Sequence, residues 1–228
     1  MMSNSNYKFD WNVIEKYWPE ILKGLIITIQ ISLAGMAFSI LLGICLANGK
    51  LSNNLLIVRI SSSITELFRS IPLFVLLFWI YYGFSLKFNF ALTEFEAGVL
   101  ALGITGGSYM AEVFRAGLLA VPIGQLEAAY AIGLSKMQSS MFIIFPQAIR
   151  IIIPPMVNIY IGLLKGATIV SVIGVSDMIY VARYVSLETF APFELYSLVG
   201  IIFISLTLSI SGFVYLLERK LGRSKVDG

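Results

Sequence analysis

The stretch GLIITIQISLAGMAFSILLGICLA, residues 24–47, contains no charged side chain. A helix that crosses a bilayer needs about 20 consecutive apolar residues. We therefore predict a transmembrane helix here. Asn48 and Gly49, followed by Lys50, are expected to end it, because Gly and Asn favour the residue after a helix and cations favour its last turn.

Four further apolar blocks of comparable length follow, at residues 60–84, 97–119, 151–170 and 196–217. Charged residues make up 13% of the chain, whereas a soluble domain has about a quarter. We predict an all-α integral membrane protein with five transmembrane helices, in which residues 1–228 form a single domain. Pro154-Pro155 and Gly166 are expected to break the fourth span.

Before the first span, residues 9–22 place apolar side chains at intervals of three and four, with polar residues between them. This pattern predicts a short N-terminal helix lying in the membrane interface, with Trp18 at the level of the headgroups. The alternative is an irregular lead-in to the first span.

The distribution of basic residues predicts the orientation, since cytoplasmic loops carry an excess of Lys and Arg. Five spans place the termini on opposite sides. With the C-terminus inside, the cytoplasmic segments carry Lys50, Arg59, Arg115, Lys136, Arg150, Arg219, Lys220, Arg223 and Lys225, and the outer segments carry Lys8, Lys16, Lys23, Lys87 and Arg183. We predict an outer N-terminus, a cytoplasmic C-terminus and a cytoplasmic loop over residues 120–150.

The chain has no His, and Cys45 is its one Cys. Disulfides, thiolate metal clusters and His-based acid–base chemistry are thereby excluded. No spacing indicates a nucleotide-binding loop or a nucleophile triad, so we predict no catalytic residue, no metal ligand and no ATPase site of its own. The basic balance follows from the orientation bias and requires no nucleic acid.

Two Glu-x-x-Arg pairs, Glu66 with Arg69 and Glu112 with Arg115, lie at the predicted cytoplasmic ends of the second and third spans. Residues three apart are neighbours on a helix face, so each pair can neutralise itself. One interpretation is that the pairs cap the bundle at the inner interface. The other is a charged cluster that locks or gates the inner side.

Two features inside the spans indicate polar chemistry. Lys165 lies well within the fourth span, where it either meets a substrate carboxylate or extends to the outer interface. In the third span, LGITGGSYMAE (residues 102–112) places glycines beside hydroxyl side chains. The glycines allow close helix packing; alternatively, Gly106-Gly107 unwinds the span beside a small polar cavity.

The loop stretch QLEAAYAIGLSKMQSSMFIIFPQAIR, residues 125–150, predicts a short cytoplasmic helix followed by a segment from Met137 to Phe145 at the membrane surface. Ala128, Ala129 and Gly133 would leave a smooth face on the helix, suited to a groove in another protein or to packing on its own bundle. Pro146 is expected to turn the chain back into the membrane.

Glu127-Ala128-Ala129, Gly133 and Ile143-x-Phe145-Pro146 resemble the EAA loop of ABC importer permeases, although that loop usually ends in Ile-x-Leu-Pro. ELFRSIPLFVLLFWIYYG (66–83), YMAEVFRAGLLAVPIGQLEAAYAIGLS (109–135), FPQAIRIIIPPMVNIYIGLLK (145–165) and VSVIGV (170–175) are similar to the polar amino acid uptake branch, which includes histidine, glutamine and arginine permeases. The resemblance extends from about Leu22 to Leu221.

This resemblance implies a multi-pass subunit of a prokaryotic inner or plasma membrane that forms the translocation pathway. A cytosolic ABC ATPase dimer would bind ATP and Mg and dock on the EAA helix, a second permease chain would be identical or paralogous, and a binding protein would deliver substrate from the periplasm or external medium. The residues implied to couple to the ATPase are Glu127, Ala128, Ala129, Gly133 and Pro146.

The chain departs from the branch where substrate is expected. The branch often has Asn-Ser-Gly-Ala-Tyr where this chain has residues 105–109, and Lys-Asp-Thr-Ser where it has 165–168. The missing acid weakens the case for a cationic substrate side chain. Candidate substrate contacts are Thr105, Ser108, Tyr109, Asn158, Lys165 and Thr168. The alternative function is a secondary transporter or channel that works without an ATPase.

Overall fold

The structure is a computed structural model that describes residues 9–88 and 91–222. These residues form helices joined by short connections, and the described parts contain no strand. Lys8, Arg223 and Lys225, used in the orientation argument, lie outside them. The α-helices are α1 (Trp11–Lys50), α2 (Leu55–Ser70), α3 (Leu73–Phe78), α4 (Ser85–Phe88), α5 (Glu94–Leu119), α6 (Ile123–Ala131), α7 (Lys136–Ser139), α8 (Phe145–Gly166), α9 (Met178–Thr189) and α10 (Pro192–Gly222).

Four helical segments among the described residues are long and apolar enough to cross a membrane. They are Trp11–Lys50, Glu94–Leu119, Lys136–Ile173 and Pro192–Leu216. A fifth span is counted if α2 and the helix Leu73–Phe84, bent by 102°, are taken together. The predicted class, an all-α multi-pass membrane protein, is confirmed.

Helix α1 replaces the two elements predicted at the N-terminus. It begins after Asp10, whose side chain accepts a hydrogen bond from the Asn12 N–H, and continues through Pro19 to Lys50. Val13, Tyr17 and Ile21 pack against the core formed by α9 and α10, which supports the helix on both sides of Pro19. The prediction of a separate interfacial helix is therefore wrong. At 1.5 Å per residue α1 is about 60 Å long, roughly twice the hydrocarbon thickness.

The predicted second span, residues 60–84, is not one straight helix. Helix α2 ends at Ser70, and Ile71 adopts an extended conformation with φ −83° and ψ 124°. Pro72 imposes this because its ring disfavours helical backbone at the preceding residue. Helix α3 then starts at Leu73 and continues as a π-helix over Trp79–Phe84. The Glu66–Arg69 pair consequently lies on α2, which is bent away from the helix that follows Pro72.

The fourth span is longer and more continuous than predicted. Helix α7, the π-helix Ser140–Ile144 and α8 follow one another without a break. Pro146 is the second residue of α8 and directly follows the π-helix within this continuous segment, so the predicted turn there is wrong. Pro154 and Pro155 lie inside α8, contrary to the predicted break. At Gly166 the α-helix ends and a 3₁₀-helix continues directly from Ala167 to Ile173, so the chain changes helix type there without interrupting the helical segment.

Helix α5 packs along α1 over most of its length. A Cβ atom on Gly103 would lie 2.9 Å from the Phe38 Cβ, and one on Gly107 would lie 2.8 Å from the Leu42 Cδ2. The Ser39 hydroxyl donates to the Gly103 carbonyl at 3.2 Å, which joins the two helices in a buried position. Close packing by the glycines is thus confirmed. Local unwinding is wrong, because α5 is continuous.

Helix α9 was not predicted, because it is short and lacks a long apolar run. Asp177 caps its N-terminus by accepting from the Tyr180 N–H at 2.8 Å, and the Met178 N–H donates to the Thr28 hydroxyl of α1 at 3.2 Å. Burial raises the pKa of Asp177 to about 7, against the smaller lowering effect of its backbone hydrogen bonds. Helix α9 thus packs between the N-terminal part of α1 and the last span, α10.

Candidate functional site

Helix α6 is a short helix with a sharply defined end. The Leu134 N–H donates to the Ala129 carbonyl at 3.1 Å, and the Gly133 N–H donates to the Tyr130 carbonyl at 2.9 Å. This pair of bonds is the Schellman motif, which requires a left-handed residue one position beyond the helix cap. Gly133 fills that position with φ +83°. Gly133 therefore terminates α6 and is not part of its surface.

One side of α6 faces the protein and the other faces outward. Ala129 is 2% exposed, and α6 packs against the segment formed by α7 and the π-helix Ser140–Ile144. Of the residues predicted to form a smooth face, Ala128 is exposed, Ala129 packs against the protein, and Gly133 lies beyond the end of the helix. The outward side, called here the small-residue face, consists of Gly124, Glu127, Ala128 and Ala131, all exposed.

Sequence reasoning missed Gly124 and Ala131. Taking Glu127 as the reference, these residues are three before and four after it, which places them on the same side of a helix. A helical-wheel projection of 123–131 carries that signal. Large exposed apolar side chains lie near both ends of α6, since Ile123 is 69% and Ile132 is 75% exposed. Exposed apolar side chains therefore flank the small-residue face near both ends of the helix.

A side-chain bridge connects α6 to the start of α8. The Gln147 amide nitrogen donates to the Gln125 side-chain oxygen at 3.3 Å and to the Ile143 carbonyl at 3.0 Å. Pro146, predicted to couple to the ATPase, is the neighbour of Gln147 and is exposed. This hydrogen bond joins α6 to the start of α8, which is part of the candidate span Lys136–Ile173.

Replacing Gly133 with alanine should loosen α6, whereas replacing Gly124 should not. Neither position has an atom within 4 Å of a new Cβ, so steric clash does not distinguish them. The left-handed conformation costs an L-residue about 1–2 kcal/mol, but alanine inside a helix gains about 1 kcal/mol over glycine. Hydrogen exchange of the α6 amides should rise about 5–30-fold in Gly133→Ala only. Equal exchange in both variants would contradict the terminating role.

The predicted charge pairs come together in one place. A cavity of about 460 Å³ is lined by Lys50, Val58, Ser62, Glu66, Arg69, Glu112 and Arg115, and is called here the charged cleft. Glu112 accepts from Arg115 Nε at 3.1 Å and from Lys50 Nζ. Arg69 Nη1 lies 3.4 Å from Glu66 Oε1. Glu112 and Arg115 are near the C-terminal end of α5, so the cleft and α6 share one end of the bundle.

Lys50 is the member of the cleft that sequence reasoning used only for orientation. Its side chain is 9% exposed and joins the end of α1 to α5 through Glu112. The position of Lys50 in the last turn of an apolar span could have indicated this role, because a cation there needs either solvent or an acidic residue from another helix.

The candidate substrate contacts do not form one cluster. The Ser108 hydroxyl is buried and donates to carbonyls of its own helix, those of Thr105 at 2.7 Å and Ile104 at 3.2 Å. Thr105 Oγ1 is buried without a partner among the described residues. Tyr109 is exposed, and the Arg69 guanidinium lies over its ring, 5.3 Å from the centroid.

The remaining candidates lie on or just beyond α8. Asn158 and Lys165 are exposed on one side of α8, seven residues apart, with the open position Gly162 between them. The Thr168 hydroxyl donates to the Lys165 carbonyl at 2.7 Å. Lys165 makes no ion pair with any residue that the structure describes. No group of three or more His, Cys, Asp or Glu side chains in the described ranges is placed to hold a metal ion.

Comparison with known proteins gives consistent results. Residues 39–223 match the family described as binding-protein-dependent transport system inner membrane component. A probable amino-acid permease protein, YxeN, of Bacillus subtilis is 34% identical over 94% of this chain and 96% of its own length. A probable glutamine ABC transporter permease protein, GlnM, of the same organism is 34% identical over 89% of this chain and 94% of its own.

A solved structure is also close. The crystal structure of an amino acid ABC transporter with histidines has a chain with a TM-score of 0.87 and 36% identity, covering 94% of this chain and 100% of that one.

Proposed function

Since this chain belongs to the family of binding-protein-dependent transport system inner membrane components, we propose that it is the permease subunit of an ATP-driven importer of a polar amino acid or a close analogue. The observation that carries the proposal is α6, a capped helix with an exposed small-residue face, tied through Gln125 and Gln147 to the membrane-crossing α8. This architecture suits a helix that receives motion from a partner.

The partner that fits α6 is a cytosolic ABC ATPase dimer, which would bind and hydrolyse ATP with Mg. Glu127, Ala128 and Ala131 would contact it, and Gly133 would set where the helix ends. Pro146 would act through the start of α8. On this proposal the chain has no catalytic residue of its own and no cofactor. The relatives are named as permeases, and GlnM as an ABC transporter permease, which favours this reading over an ATPase-independent transporter or channel.

The complete importer would contain two permease chains, identical or paralogous, and a binding protein on the outer side. We place the chain in a prokaryotic inner or plasma membrane, with its N-terminus in the periplasm or external medium and its C-terminus in the cytoplasm. The charged cleft then lies at the cytoplasmic end, where Glu66, Arg69, Glu112 and Arg115 brace or gate the pathway.

The relatives named above support an amino acid as cargo, because their names specify amino acids or glutamine. Thr105, Ser108, Tyr109, Asn158, Lys165 and Thr168 remain the proposed contacts along the pathway. Lys165 is the strongest of them, because an exposed ammonium on a membrane-crossing helix attracts a carboxylate.

Lys165→Met should weaken the response to substrate. The change removes the ammonium and keeps a long flexible side chain, so packing of α8 should be preserved. We expect substrate-stimulated ATP hydrolysis to need at least about tenfold more substrate, equivalent to about 1.4 kcal/mol, with the unstimulated rate unchanged. Normal stimulation at low substrate would remove Lys165 from the site.

The proposal as a whole is tested by reconstitution. The chain would be co-purified with candidate ABC ATPases and binding proteins, and the complex placed in liposomes. Amino acids would then be screened for stimulated ATP hydrolysis and ATP-dependent uptake. Uptake at the same rate without any ATPase would establish the alternative, a transporter or channel that works alone.

A further inference from the structure

The two Glu-x-x-Arg pairs in the charged cleft are not equivalent. Glu112 is bound on both oxygens, by Lys50 and by Arg115, and its side chain is 25% exposed. Glu66 is 65% exposed and has a single ion-pair contact among the described residues, at 3.4 Å to Arg69. The first pair belongs to a closed triad between α1 and α5. The second is an open pair on α2, and an exposed contact of that length contributes little to stability.

Arg69 uses one of its hydrogen-bond donors, Nη1, and only in the long contact to Glu66. Its guanidinium lies over the Tyr109 ring at 5.3 Å, a cation–π arrangement that leaves the N–H groups around the edge of the guanidinium plane available. These donors match a carboxylate, which Arg binds in a two-bond geometry. Glu66, on the same face of α2, presents an acceptor for a cation.

We propose that Glu66 and Arg69 form a transient binding site for the ammonium and carboxylate groups of a free α-amino acid. A zwitterion exchanges the weak internal pair for two external ones, its ammonium on Glu66 and its carboxylate on Arg69. The cleft, of about 460 Å³, has room for a small amino acid. In this proposal the site recognises the ammonium and carboxylate groups and does not recognise the amino acid side chain. The inference rests on the proposed function, in which this end of the pathway releases cargo into the cytoplasm.

The charge of the cleft sets the expected selectivity. Lys50, Arg69 and Arg115 oppose Glu66 and Glu112, so an excess positive charge remains after internal pairing. An amine without a carboxylate should therefore bind poorly. An N-acylated amino acid, which lacks the ammonium, loses the contact to Glu66. The zwitterion is the one form that satisfies both members of the open pair.

The test measures how accessible Arg69 is to chemical modification. The purified full chain in detergent would be treated with phenylglyoxal, and the rate of Arg69 modification followed by peptide mass spectrometry. L-alanine should slow that rate at least threefold, whereas L-alanine methyl ester and N-acetyl-L-alanine should slow it less than half as much. Arg183, exposed on α9 and remote in sequence from the cleft, serves as the control and should be unaffected.

Glu66→Gln keeps the shape of the site and removes the ammonium partner. In this variant L-alanine should protect Arg69 no better than N-acetyl-L-alanine. Absence of protection up to the solubility limit of L-alanine, or equal protection by the N-acetyl compound in the unmodified chain, would overturn the proposal. The assay needs neither an ATPase nor transport. A chain that fails in reconstitution but shows the expected protection would refute the proposed function alone.

Discussion

A leucine in place of Gly43 should prevent α1 and α5 from packing and leave little folded protein. A Cβ atom at this position would lie 2.5 Å from the Met110 Cβ and 3.2 Å from the Ala111 backbone nitrogen. Neither is the free end of a flexible side chain, so one helix has to move. Overpacking costs about 1–3 kcal/mol for a few methylene groups, and a leucine adds more than that at a contact where even a methyl group does not fit.

The measurement is the yield of monodisperse protein in mild detergent, together with its apparent unfolding temperature. Gly212→Leu is the matched control, because Gly212 of α10 has no atom within 4 Å of a new Cβ. We expect the control to keep the parent yield and Gly43→Leu to lose most of it, with Gly43→Ala between them. Similar yields for the two leucine variants would show that the contact between α1 and α5 tolerates expansion.

Composition and apolar length were sufficient to predict the class and most of the spans. They report how favourable a segment is in lipid, which is a property of the segment itself. They did not predict the bend at Pro72, because hydropathy carries no information about the direction of the helix axis. They also split α1 at its amphipathic start, since the support that Val13 and Tyr17 receive from α9 and α10 is a tertiary contact.

For the candidate site as well, some features could be predicted from the sequence and others depend on the folded structure. The resemblance of Glu127-Ala128-Ala129 selected a segment that forms one helix, α6, and the charge pairs selected residues that meet in one cleft. The direction in which α6 faces depends on the packing of Ala129 against the segment that follows it, which no local pattern contains. Gly133 was assigned to a surface because its size was noted and its backbone conformation was not. A positive φ is a property of the folded chain.

Tryptophan at Ala131 should abolish ATP-driven uptake while leaving the subunit folded. Ala131 is exposed at the C-terminal end of the small-residue face, one turn from Glu127 and Ala128. An indole there would hold the partner away from the helix. Because the indole would also keep the partner from Glu127 and Ala128, we expect a loss of about 2 kcal/mol or more, roughly 30-fold in affinity.

The experiment compares binding of the ATPase, ATP-dependent uptake and monodispersity for a set of variants. Ala131→Ser keeps a small side chain and should retain both binding and uptake. Leu208→Trp, on the exposed surface of α10, adds an indole remote from α6 and should also be active. Because Ala131 was not implied by the resemblance, its sensitivity would support the face defined by α6 itself. If Ala131→Trp transports normally while Ala129→Trp misfolds, the ATPase does not dock on this side of α6.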